Sequence, residues 1–154
     1  MPPLSPSFNE ASRLQALQQL QILDSDDDPD FDQLTTLTRS LFDVPVVLVS
    51  LMDAKRQWFK SCQGLDITET PREISFCNYV VADNTPLVIE DTHKDSRFID
   101  NPLVINSPHI RFYAGAPLQP DGTHTVGTLC VIDDQPRTFS SHEHQLLLGL
   151  ARQA

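Results

Sequence analysis

HIRFYAGAPL, His109 to Leu118, and HTVGTLCVID, His124 to Asp133, flank the tripeptide Pro120-Asp121-Gly122. Counted by twos, the first run sets Ile110, Phe112, Ala114, Ala116 and Leu118 on one face. His109, Arg111 and Tyr113 occupy the other, which then passes into Gly115 and Pro117. Strand side chains alternate between faces, and Pro-Asp-Gly is a turn signal. The two runs therefore predict an antiparallel hairpin with one face built for a core. What the second face meets, bulk water or a small polar ligand, is the functional question.

Outward from this hairpin the pattern extends. VPVVLVSLMD from Val44 is β-branched and apolar, as expected of a central, well-buried strand. RQWFKSCQG, Arg56 to Gly64, follows a turn at Asp53 and Ala54 and reads as its hairpin partner, with Trp58 and Phe59 on opposite faces. A Thr- and Pro-rich loop leads to SFCNYVVAD, a short helix with Ser75 as the expected cap, and PLVIED from Pro86 is a third strand. THKDSRFIDNPLVINSP reads as a loop with one helical turn near Ser96 to Asp100.

Helices bracket the chain. The first eight residues, Pro- and Ser-rich, read as a flexible lead-in, and a single domain is expected over 9–154. Asn9 is the expected N-cap of a helix carrying Ala11, Leu14, Leu17, Leu20 and Leu23. A second helix, Phe31 to Phe42, is expected to bury Phe31, Leu34, Leu37 and Leu41. Between them, DSDDDPDFD holds six aspartates in nine residues. It fails as a calcium loop, because Pro29 replaces the sixth-position Gly and Thr35 stands where the closing Glu belongs. The last helix opens on a capping box, Ser140 and Glu143, and reaches Ala154 without a C-cap Gly, so it is expected to be truncated and to continue into further chain. The fold class is α+β: an antiparallel sheet of five or six strands with terminal helices on one face.

Composition narrows the function. At 154 residues the chain is one domain, able to bury about 70% of its unfolded surface. A net charge of −10 without clustered Lys and Arg argues against nucleic acid, and no apolar run suggests membrane insertion. Three widely spaced cysteines fit a reducing cytoplasm better than a disulfide scaffold.

SLMDAKRQWFKSCQGLDITETPREISFCNYVV, LVIEDTHKDSRFIDNPLV, HIRFYAGAPL and VGTLCVIDDQPRTFS, in this order, resemble the GAF domain family. The resemblance is to the bacterial sensory subgroup found at the N-terminus of signalling proteins, and it runs from about Asn9 to the chain end. It implies a sheet whose far face is covered by the short helix and loops, with a small-molecule pocket between. It further implies a homodimer through the terminal helices and a C-terminal effector, such as a diguanylate cyclase, a histidine kinase or a phosphodiesterase. The family binds cyclic nucleotides, tetrapyrroles, amino acids, haem or small anions, so the cofactor or ligand stays open.

Candidate ligand-binding residues are Trp58, Ser75, Phe76, Cys77, Asp91, Arg97, Phe98, Arg111 and Tyr113. Two placements are open for Arg111: in the pocket, holding an anionic ligand, or in a salt bridge with Asp91. Two other functions compete with a non-enzymatic sensor. One is a free methionine sulfoxide reductase-like enzyme, for which Cys77 at a helix N-terminus is the best-placed thiol. The other is a ligand-free dimerisation module. No residue spacing suggests a metal site.

Overall fold

The computed structural model describes residues 10–106 and 108–153. The lead-in at 1–8 and the expected cap Asn9 lie outside the described residues.

Six strands form one antiparallel sheet: β1 (Val46–Met52), β2 (Arg56–Gln63), β3 (Glu69–Pro71), β4 (Leu87–Ile89), β5 (Phe112–Leu118) and β6 (Gly127–Asp133). Their order is β3-β2-β1-β6-β5-β4. The expected hairpins are both present, with Leu51 opposite Trp58 in one and Ala114 opposite Val131 in the other. β3 is an addition. It lies in the stretch read as a loop, where three residues are too few to establish a period, and it pairs along the β2 edge.

Helices α1 (Glu10–Gln19), α2 (Pro29–Phe42) and α5 (Ser141–Gln153) cover one face. Their core takes Leu17, Phe42, Leu147 and Ala151 from the helices. The sheet adds Val47, Val49, Leu51, Trp58, Phe112, Ala114, Leu129 and Val131. Short segments cover the other face: α3 (Cys77–Asp83), α4 (Pro102–Ile105) and two 3-10 turns, Arg72–Ile74 and Thr92–Lys94. Their core holds Val46, Leu48, Met52, Phe59, Phe76, Val80, Phe98, Tyr113, Cys130 and Ile132. β1 is buried along its whole length because both covers need it.

Three local expectations are corrected. The helical turn of the long loop falls at Pro102–Ile105 rather than near Ser96 to Asp100, because Asn101 caps it through the Leu103 N–H and Pro102 opens it. Ser75 does not cap α3: Phe76 holds the N-cap position, and the Ser75 hydroxyl makes no such bond. On α2 the buried positions are Thr35, Thr38 and Phe42, whereas Leu37 and Leu41 are 51% and 57% exposed. Hydrogen bonding decided that face. Thr35 bonds the Ser61 hydroxyl at 2.8 Å, and Ser61 in turn donates to Asp32 at 2.6 Å.

The acidic stretch is put to local use. Asp28 caps α2 through the Asp30 N–H, Asp24 takes two bonds from Arg56, and Asp32 accepts from Ser61. Lys60 is the extra residue of a β-bulge, since Val49 pairs with Ser61 and Ser50 with Phe59. Its Nζ donates to the Ser25 hydroxyl and the Asp26 carbonyl and lies over the Phe31 ring. The last helix has its capping box, with the Ser140 hydroxyl and Glu143 carboxylate exchanging backbone N–H bonds at 3.1 Å.

A buried ion cluster ties α1 to the opposite cover. Arg13, 2% exposed, donates to the Met52 carbonyl at 2.7 Å and to both oxygens of Glu10. Arg72 reaches the same carboxylate at 2.6 Å and bonds Asn78 of α3 at 2.8 Å. The Arg13 hydrogen bonds, opposed by burial and reinforced by Arg72, lower the Glu10 carboxyl from 4.5 to about 2. A depressed carboxyl stabilises the fold above its unfolded value, and that contribution is lost as pH falls through the folded one. Glu10→Gln should therefore cost about 2–3 kcal/mol at neutral pH, because it strands a buried guanidinium. In urea unfolding at a series of pH values, the gap to the parent chain should close between pH 4.5 and about 2.

Candidate functional site

The second face of HIRFYAGAPL divides: His109 is exposed and Arg111 half-exposed, whereas Tyr113 and Gly115 meet neither bulk water nor an open pocket. Tyr113 is buried beneath α3, and its ring lies along the strand over Gly115. A Cβ at Gly115 would stand 2.3 Å from the Tyr113 hydroxyl and 2.8 Å from its Cζ, so only glycine leaves that space. The Tyr113 hydroxyl donates to Cys77 Sγ at 3.0 Å. Thr128 donates to the same sulfur at 2.9 Å and bonds the Ser50 hydroxyl at 2.8 Å. Cys130 Sγ lies 3.9 Å from Cys77 Sγ.

The result is a buried polar cluster of Ser50, Cys77, Tyr113, Thr128 and Cys130, in which two thiols and three hydroxyls converge. Burial pushes the Cys77 thiol up, but the hydrogen bonds of Cys130, Thr128, Tyr113 and Ser50 outweigh it and bring it down to about 6. The bond to Cys77 and burial push Cys130 well above the ordinary range, and burial does the same to Tyr113. Of the pair, Cys77 gives up its proton first.

Aromatic rings fill the space above. Phe76 stacks on Phe98 at 4.3 Å and meets Tyr113 at 5.3 Å, and Tyr79 sits edge-on to Phe98 at 5.0 Å. Arg97 caps the group, 5.5 Å from the Tyr79 ring and 5.2 Å from Phe98, and is held by Asp95 at 2.9 Å. A cavity of about 30 Å³ remains beside Cys77, between Phe59, Phe76 and Tyr113, with room for one or two waters. Two hydroxyls in this cover, Ser75 Oγ and Tyr79 Oη, are buried without a hydrogen-bond partner among the described residues. Two wider clefts, about 580 and 640 Å³, lie apart from the cluster, one at the β4 edge and one beside α5.

Of the expected site residues, Phe76, Cys77, Phe98, Tyr113 and Ser75 are brought together under the cover, with Arg97 on its rim. The other three lie elsewhere. Trp58 points to the helix face, in the core with Leu17 and Leu147. Arg111 takes the salt-bridge placement, its Nη2 3.1 Å from Asp91. Asp91 also caps the turn at Thr92 through the His93 N–H. Ser50, Tyr79 and Thr128 were not anticipated. Their signal is modest: Ser50 and Thr128 are single hydroxyl residues inside apolar runs, and they face each other across the β1–β6 ladder.

A sheet between terminal helices on one side and short segments over a polar cluster on the other defines the class: an α+β domain with a covered polar cluster. The family model described as GAF domain matches residues 12–154, and the chain belongs to the GAF domain family. It is 43% identical over 129 residues to a cyclic di-GMP phosphodiesterase of Pseudomonas aeruginosa, a match covering 84% of this chain. The chain spans 22% of that relative's length.

Among solved structures, the GAF domain of an Acinetobacter phosphoenolpyruvate-protein phosphotransferase aligns with a TM-score of 0.67 at 20% identity, covering 93% of this chain and 88% of the other. A type II free methionine-R-sulfoxide reductase of Thermoplasma acidophilum aligns at 0.68 and 13% identity, covering 89% and 91%. At such identities the likeness is one of fold.

Gly115→Ala should drive the Tyr113 ring from its bed and break its bond to Cys77. Urea unfolding should register a loss of about 2 kcal/mol. The same substitution in a Tyr113→Ala background should cost much less, since the three atoms nearest the added Cβ all belong to that ring.

Proposed function

We propose that this chain is the regulatory GAF domain of an enzyme of cyclic di-GMP turnover. It takes up a small polar molecule under the α3–α4 cover and acts through its terminal helices, as a homodimer, on a C-terminal effector. The observation that carries this reading is the 43% identity to a cyclic di-GMP phosphodiesterase of which this chain spans only 22%. That proportion leaves the larger part of such a protein to other functions, so the phosphodiesterase type of effector is favoured over a cyclase or kinase.

The geometry of the cover supports a site there. Each unpaired buried hydroxyl costs about 1–3 kcal/mol, and Ser75 and Tyr79 present two of them in the cover. A ligand that accepts or donates at both recovers that cost. Admitting it requires Phe76 and Phe98 to part; Phe76 is the N-cap residue of α3 and Phe98 lies in the turn before α4, so neither is on the sheet. A route out of the site is supported by Arg72. Arg72 bonds Asn78 of α3 and Glu10 of α1, so a displaced α3 pulls on the first turn of α1. The dimer has its own support in the uncovered apolar stripe of Leu37 and Leu41 on α2 and Leu146 on the adjacent α5.

A second reading, a ligand-free dimerisation module, is favoured by the small volume left by the aromatic cluster, about 30 Å³. A thermal-shift screen of nucleotides, amino acids, small carboxylates and inorganic anions separates the two. A ligand at 100 times its Kd adds about 2.7 kcal/mol, which raises Tm by roughly 5 °C or more. For the sensor reading, one chemical class should give that rise, and Tyr79→Phe and Ser75→Ala should each reduce it. A flat screen with a dimer by light scattering would transfer the assignment to the second reading.

A further inference from the structure

We propose that Cys77 and Cys130 form an oxidation site, at which a peroxide of water-like size enters the adjoining cavity and closes the two thiols into a disulfide. The two sulfurs are 3.9 Å apart, and both belong to free cysteines. Closing to the roughly 2 Å of an S–S bond requires one element to move. β6 is pinned between β1 and β5, whereas α3 is a separate helix of seven residues. α3 is therefore the part that shifts.

Three features distinguish this pair from inert buried thiols. Tyr113 and Thr128 aim hydroxyl protons at Cys77 Sγ from 3.0 and 2.9 Å, an arrangement that stabilises a thiolate without a neighbouring cation. The cavity touches Cys77 and runs outward to Leu103, Pro108 and Ile67, the last 42% exposed. At about 30 Å³ it admits hydrogen peroxide and is far too small for a tripeptide thiol. Cys62, by contrast, donates its S–H to the Leu65 carbonyl at 3.3 Å, and burial raises its pKa.

The chemistry balances with peroxide as the oxidant. The Cys77 thiolate attacks one peroxide oxygen, the S–O bond forms, the O–O bond breaks, and hydroxide leaves and takes up a proton as water. Cys130 then loses its proton and attacks the Cys77 sulfenic acid. The S–S bond forms, the S–O bond breaks, and a second water leaves. Two thiols and one peroxide become one disulfide and two waters, with the two electrons coming from the sulfurs. Oxidation removes the sulfur that Tyr113 and Thr128 bond to as a thiolate and draws α3 against the sheet. A peroxide signal thus enters the same cover that Arg72 links to α1.

The test treats the reduced 154-residue chain with hydrogen peroxide at neutral pH, then denatures, alkylates and maps peptides by mass. The expected product is a Cys77–Cys130 cross-linked peptide two hydrogens lighter than its parts, with Cys62 still alkylated. Its formation should be about tenfold faster than oxidation of free cysteine, given the larger thiolate fraction. Cys130→Ser should stop at a sulfenic acid on Cys77 that dimedone, added with the denaturant, traps, and glutathione disulfide should leave the native pair reduced. Oxidation of Cys62 ahead of Cys77, or a pair that reacts only after unfolding, would overturn the proposal.

Discussion

The structure depends on one constraint: β1 and β6 must serve two cores at once. Alternation gives each strand two sets of side chains, and here neither set is allowed to meet water. Val47, Val49 and Leu51 pack on helices, while Val46, Leu48 and Met52 pack on short segments. The two covers differ in what they tolerate. On the helix side β1 and β6 present aliphatic residues, and the polar contacts gather at β2, where Lys60 and Ser61 meet the acidic connector and α2. Short helices and turns bring backbone ends and capping groups close to the sheet, and the polar cluster of Ser50, Cys77, Tyr113 and Thr128 lies on that side.

Much of this plan was legible in the residues, because the strands that build the two cores are also the most periodic parts of the chain. The Pro120-Asp121-Gly122 turn, the capping box and the change of period at Val44 each report a local cause, and the local structure followed. The face of α2 was not legible. Leu37 and Leu41 look like core by hydropathy, yet Thr35 is buried with Ser61, a residue far along the chain, as its hydrogen-bond partner, and Thr38 is buried beside it with its hydroxyl on the Leu34 carbonyl. Ser75 illustrates the same limit. A serine before a helix satisfies every local rule for a cap, but the preceding 3-10 turn rotates it into the interior.

The site divides in the same way. Parity placed Trp58 and Phe59 on opposite faces without saying which face held the cover. Arg111 and Asp91 could be paired on paper, and their salt bridge needed only the β4–β5 pairing to form. The packing of Tyr113 over Gly115 was not read from the sequence, although the two stand i, i+2 on one face of the strand. Nor was the convergence of Cys77 and Cys130, since it depends on where a seven-residue helix crosses a strand.

The bulge at Lys60 has a consequence for how such a chain tolerates change in length. With Lys60 present, Lys60 and Ser61 both face the helices, and Phe59 and Cys62 keep their places in the other core. Remove that one residue and the strand becomes strictly alternating, yet Trp58, Phe59, Ser61 and Cys62 all keep the face they already occupy. An in-frame codon loss inside a buried strand would ordinarily invert everything downstream of it. Here it would cancel an irregularity instead, at the expense of the lysine that anchors the acidic connector through Ser25 and Asp26. The middle of β2 is thus a seam at which homologous chains can differ by one residue without redrawing either core.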